Sequence, residues 1–72
     1  MRILVINPNS TAGMTAAIEI AAKAVAGPDT EIVAQTSAEG PVSIEGYFDE
    51  ALSLKGLLRT IHQADDIDAI VI

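Results

Sequence analysis

A chain of 72 residues holds at most one small domain, and without cysteine it has neither disulfides nor thiolate metal ligands to support a thin core. Half of the residues are hydrophobic and 19% are charged, too apolar a mix for disorder. Four Lys/Arg against ten Asp/Glu give a net charge of −6, which excludes the basic footprint of a nucleic-acid or anionic-membrane partner.

Met1-Arg2 leads straight into a strand-like run with no signal-peptide h-region. No apolar run approaches the 18 or so residues of a membrane span, so the expected location is the cytoplasm. Tyr47 and Phe48 are the only aromatic residues, and the core must therefore be Ile, Leu, Val and Ala.

Ile3 to Ile6 is a continuous apolar run rich in β-branched residues, the pattern of a strand buried on both faces of a parallel sheet. Asn7-Pro8-Asn9-Ser10 stops it, because Pro8 has no N–H for a ladder and Asn and Ser favour turns and N-caps. A helix then runs to about Ala26, with Met14, Ile18, Ala21, Ala22 and Val25 as its apolar positions and Glu19–Lys23 as an i,i+4 pair elsewhere. Gly27-Pro28 reads as its stop, with Gly27 suited to the left-handed position after a helix.

Thr30 to Ala34 reads as a second strand nearer an edge, and Gln35 to Val42 as a loop. The second helix starts between Ser43 and Tyr47 and ends near Gln63. Tyr47, Ala51, Leu54, Leu58 and Ile61 recur along one face, and Gly56 marks a place for a kink or break. Asp65-Asp66 closes the connection, and Asp68 to Ile72 is a third buried strand.

The order β-α-β-α-β predicts an α/β fold with a parallel sheet and right-handed crossovers. Strand order 2-1-3 puts the helices on opposite faces and the first strand in the centre, as Ile3 to Ile6 require. The ends of the first and third strands are then a topological switch point, where such sheets bind ligands. Because the sequence stops on Ile70-Val71-Ile72, within a strand, residues 1–72 are expected to be the first part of a larger domain.

Two segments carry candidate chemistry. Asn9, Ser10 and Thr11 sit where the first helix begins, and two readings stand. Ser10 or Thr11 caps the helix by accepting a backbone N–H bond. Alternatively, the free N–H groups and the hydroxyls hold a carboxylate, a phosphate or a developing enolate. Ser43, Ile44 and Tyr47 open the second helix on the same side of the sheet, either as a cap with a packing aromatic or as a pocket wall.

Neither nucleotide-binding glycine motif is present. His62 alone makes no metal site, and Asp65, Asp66 and Asp68 enter at the wrong end of the sheet to serve one. No nucleophile–base pair can be assembled from these residues.

The opening MRILVINPNSTAGMT, together with GPVSIEGYFDEAL, resembles the N-terminal part of the aspartate/glutamate/hydantoin racemase superfamily, in its hydantoin and allantoin racemase branch. The resemblance covers essentially the whole chain. It implies a flavodoxin-like half of a fold of two α/β lobes with the active site between them. It also implies an isomerase that needs no cofactor, acts on a small carbonyl compound and is a homo-oligomer at full length.

In that family two cysteines exchange the proton alpha to a carbonyl, one as thiolate and the other as thiol. The first follows the third strand and the second lies in the later lobe, so neither is within residues 1–72. By resemblance Asn9 and Ser10, and then Thr11, hold the substrate oxygen, and Ser43, Ile44 and Tyr47 line the second side of the pocket. Other branches (aspartate racemase, maleate isomerase, arylmalonate decarboxylase) and a non-catalytic anion-binding module are the alternatives. This segment alone is expected to be inactive.

Overall fold

The computed structural model describes all of residues 1–72. Strand β1 (Arg2–Asn7) is followed by helix α1 (Ala12–Val25), strand β2 (Glu31–Thr36), helix α2 (Tyr47–Gln63) and strand β3 (Ala69–Val71). The strands form one parallel sheet in the order β2-β1-β3, with Ile3 opposite Ile32 on one side and Ala69 on the other. The predicted α/β topology and strand order are therefore the observed ones.

Alternation along β1 divides its side chains between two layers. Leu4 and Ile6 are almost fully buried and form the core with Leu57 of α2, joined by Val33, Ile61, Ala64 and Ile67. Fully burying a side chain of this size is worth about 1.5–3 kcal/mol. Ile3 and Val5 face the other way, bordering with Ile18, Ala22 and Ile32 a surface groove beside α1. The same alternation turns Asn7 toward α1.

Several local expectations are corrected. The helix-stop Gly27 is not left-handed: α1 ends as Ala26 turns to extended backbone, and no glycine in the chain has a positive φ. The residue that does adopt that conformation is Asp66, at φ 56, in the turn before β3. Aspartate tolerates this region because its short side chain can bond locally. On α1, Thr15 is the buried residue, whereas Met14 and Val25 of the expected apolar face are exposed.

Gly56 does not break α2, which is continuous over 17 residues. A Cβ there would collide with the Ser37 hydroxyl and come within 3.1 Å of the Glu39 Cβ, so the glycine lets the helix lie directly on the loop after β2. That contact also sets the rotation of α2. Ser53, Gly56 and Leu57 are its buried residues, while Tyr47, Ala51, Leu54 and Leu58 are exposed, and of the expected apolar face only Ile61 packs against the core. β3 is likewise exposed rather than buried, because it forms an edge with Ile70 and Val71 about half accessible.

Both ends of β1 are tied to their neighbours. At its start, the Arg2 N–H donates to Asp68 Oδ2 at 2.7 Å and the Arg2 guanidinium to the Asp65 carbonyl at 3.1 Å. Arg2 also pairs with Glu31 at 3.1 Å, an exposed contact worth little by itself. The aspartates before β3 thus have a structural task at the end of the sheet opposite the candidate site.

Candidate functional site

At the C-terminal edge of the sheet, β1 runs into a short turn, Pro8 to Thr11, that delivers the chain to the first turn of α1. Its geometry is set by Asn7, which is 2% exposed. Asn7 Oδ1 accepts from the Asn9 N–H at 3.0 Å, and Asn7 Nδ2 donates to the Thr11 carbonyl and to Thr15 Oγ1, each at 3.1 Å. The reversed amide would face its oxygen toward the Thr11 carbonyl and its nitrogen toward a donor, so a single orientation satisfies the set.

The loop after β2 is laid across this turn. The Ser10 N–H donates to the Pro41 carbonyl at 2.8 Å, and the Thr11 hydroxyl donates to the Val42 carbonyl at 2.9 Å. Gly40 permits the approach, since a Cβ at that position would run into the Pro8 carbonyl. The two segments singled out from the sequence are therefore physically joined, through Ser10–Pro41 and Thr11–Val42.

Capping is absent from both helix starts. Thr11 occupies the N-cap position of α1 but makes no side-chain cap bond, its hydroxyl being committed to Val42. Gly46 is the N-cap of α2, and Ser43 caps nothing; Asp49 Oδ2 instead accepts from the Glu45 N–H at 3.2 Å.

The supply of N–H donors also differs from the simplest sequence reading. Those of Asn9 and Ser10 are used within the protein, whereas those of Thr11, Ala12 and Gly13 meet no protein acceptor. Unpaired donors at the positive end of a 14-residue helix favour an oxyanion.

Around them stand the Ser10 hydroxyl and the Asn9 carboxamide. Asn9 Nδ2 makes a 3.6 Å contact to the Met14 sulfur, and Asn9 Oδ1 is shielded from solvent without a donor. On the second segment Ser43 is exposed and Ile44 half-buried. Tyr47 is 91% exposed, and its phenol bonds to no protein group. The three surface concavities lie elsewhere; the largest, about 590 Å³, is the apolar groove between α1 and the sheet face of Ile3, Val5 and Ile32, reaching Val71 of β3. In this chain the site is an open wall.

The sequence places Asn7 in the turn and Ser37 and Gly40 in the loop after β2, but it does not reveal that they, with Thr15 and Thr36, hold this wall in place. A signal for Asn7 existed: carried one step further, the alternation of Ile3 and Val5 puts its side chain under α1.

Comparison with known proteins agrees with this architecture. The model of the Asp/Glu/Hydantoin racemase family matches residues 3–72. A hydantoin racemase from Pseudomonas sp. (strain NS671) is 50% identical, the match covering 100% of this chain and 30% of that protein. The solved allantoin racemase from Klebsiella pneumoniae superposes with a TM-score of 0.92 at 47% identity, over 100% of this chain and 30% of its own. That from Pseudomonas fluorescens gives 0.91 at 42%, over 97% and 30%. The chain belongs to the Asp/Glu/hydantoin racemase family, and it spans about three-tenths of the length of these relatives.

Proposed function

We propose that this chain is the N-terminal part of a cofactor-independent racemase of 5-substituted hydantoins or allantoin, in which it supplies the wall that holds and polarises the substrate. The observation that carries this reading is the group of unpaired N–H donors at Thr11, Ala12 and Gly13, flanked by Ser10 and Asn9, in a chain half identical to a hydantoin racemase. Removing the proton on the carbon alpha to a ring carbonyl places negative charge on that carbonyl's oxygen. Donors fixed in advance at a helix N-terminus stabilise this charge without having to reorganise during the reaction.

The proton itself is moved by two bases, one on each face of the carbon: one takes it and the other returns a proton from the opposite side. No residue of this wall is suited to that task. The bases belong to segments beyond Ile72, the first of them a cysteine shortly after β3, and residues 1–72 alone are inactive. Ser43, Ile44 and Tyr47 form the second side of the substrate pocket.

The test is Asn9→Ala and Ser10→Ala in the full-length enzyme, with racemisation followed by optical rotation. Each variant lowers kcat/KM by about a hundredfold, the size of effect seen when an oxyanion donor is removed. Unchanged rates in both would show the turn to be purely structural.

A further inference from the structure

The proposed reaction leaves unexplained a buried polar chain that links three elements behind the turn. Asn7 ends β1, Thr36 ends β2 and stands opposite it in the ladder, and Thr15 lies in the first turn of α1 above both. Asn7 Nδ2 donates to Thr15 Oγ1 at 3.1 Å, and the Thr15 and Thr36 hydroxyls are 2.6 Å apart. Asn7 and Thr15 are buried, in a layer whose other strand positions, Ile3, Val5, Ile32 and Ala34, are apolar. A carboxamide placed there forgoes the burial gain of an aliphatic side chain and must find partners for all its polar atoms.

Resting on the racemase reading, we propose that Asn7, Thr15 and Thr36 are a positioning relay that aims the 9–11 turn at the substrate, with Asn7 as its pivot. Asn7 grips the turn on both sides, accepting from the Asn9 N–H and donating to the Thr11 carbonyl. Thr15 Oγ1 accepts the second Asn7 proton and shares a short hydrogen bond with the Thr36 hydroxyl, in which either oxygen can donate, and this fixes the rotation of the amide against the sheet. The Ser10 side chain and the donors of Thr11 to Gly13 are thereby referenced to the sheet frame rather than left to a free loop. None of the three relay side chains needs to touch the substrate.

The chemistry of the relay distinguishes near-isosteric substitutions. Asn7→Asp replaces an N–H donor with an oxygen facing the Thr11 carbonyl and Thr15, so two attractions become repulsions or vanish. Thr15→Val keeps the shape but cuts the link to Asn7 and Thr36, and Thr15→Ser keeps the link. In the full-length enzyme Asn7→Asp and Thr15→Val are expected to lower kcat at least tenfold per folded active site while KM moves less than threefold. Thr15→Ser should return kcat to within twofold of the unmutated enzyme. A purely structural role would reduce the folded fraction and leave kcat per folded site unchanged.

Amide hydrogen exchange at Asn9 reads the relay without any substrate. It should be slow in the unmutated protein and fast in Asn7→Asp and Thr15→Val. Should Asn7→Asp fail to fold, Thr15→Val and the unmutated protein still decide. An Asn9 amide that exchanges like a free loop in the unmutated protein would overturn the relay, as would unchanged kcat and exchange in Thr15→Val. An unmutated enzyme that racemises no hydantoin or allantoin, yet shows Asn9 protection that Thr15→Val abolishes, would remove the racemase reading and leave the relay standing.

Discussion

At the scale of single residues, the contact between Ser37 and Gly56 shows how packing overrides local propensity. Glycine inside a helix costs up to about 1 kcal/mol relative to alanine, which is why the sequence suggests a kink at Gly56. The structure uses it for close approach instead, against a Ser37 that is fully buried and whose hydroxyl has no partner. Gly56→Ala is therefore expected to destabilise by about 1–3 kcal/mol, since the strain of overpacking outweighs the gain in propensity. Ser37→Ala, which removes an unsatisfied buried hydroxyl, should be neutral or stabilising, and in combination it should recover part of the Gly56→Ala loss. Urea melts of the four proteins would show the coupling. No sequence pattern reveals this pair, because the two residues are brought together only by the crossing of α2 over the end of β2.

At the scale of elements, periodicity located both helices and turned Ile18, Ala21, Ala22 and Val25 of α1 toward the sheet-side groove, but it misjudged which way α2 faces. On α2 the residues at helical spacing, Tyr47 to Leu58, are mostly solvent-facing, and the buried side is Ser53 and Gly56 beside the core residue Leu57. Apolar spacing reports that a face exists. Close packing against a loop selects the face that can approach, and in α2 Gly56 supplies that approach while Leu57 next to it reaches the core. The same kind of approach at Gly40 fastens the second loop to the turn after β1, holding Pro41 and Val42 against Ser10 and Thr11. A Cβ at Gly40 would meet the Pro8 backbone, which has little freedom to yield. Gly40→Ala should thus separate the two halves of the wall, costing about 1–3 kcal/mol of stability. It should also lower kcat/KM in the full-length enzyme, an effect readable by thermal melts beside steady-state rates.

At the scale of the whole molecule, the fold was legible because few topologies satisfy a central apolar strand, short connections and right-handed crossovers. The extent of its exposure was not. Only Leu4, Val5, Ile6 and Leu57 are buried hydrophobic residues, while Phe48, Leu54, Leu58, Ile70, Val71 and Ile72 remain accessible. With so thin a core, residues 1–72 alone are expected to melt over a broad range and to self-associate, whereas the full-length enzyme should melt cooperatively; calorimetry and light scattering compare the two.

The candidate wall was only partly legible. Asn9, Ser10 and Thr11 announce themselves as polar residues at a helix start, but their donors and supports depend on Asn7, Thr15 and a loop some 30 residues away. The central claim is that this wall serves proton exchange at a carbon alpha to a carbonyl. The most direct measurement follows a single enantiomer of a 5-substituted hydantoin, or of allantoin, with the full-length enzyme in deuterium oxide, recording optical rotation and deuterium at that carbon together. The account predicts that rotation decays to zero as deuterium enters at the same carbon. An unchanged rotation with no deuterium uptake for every such substrate would contradict it.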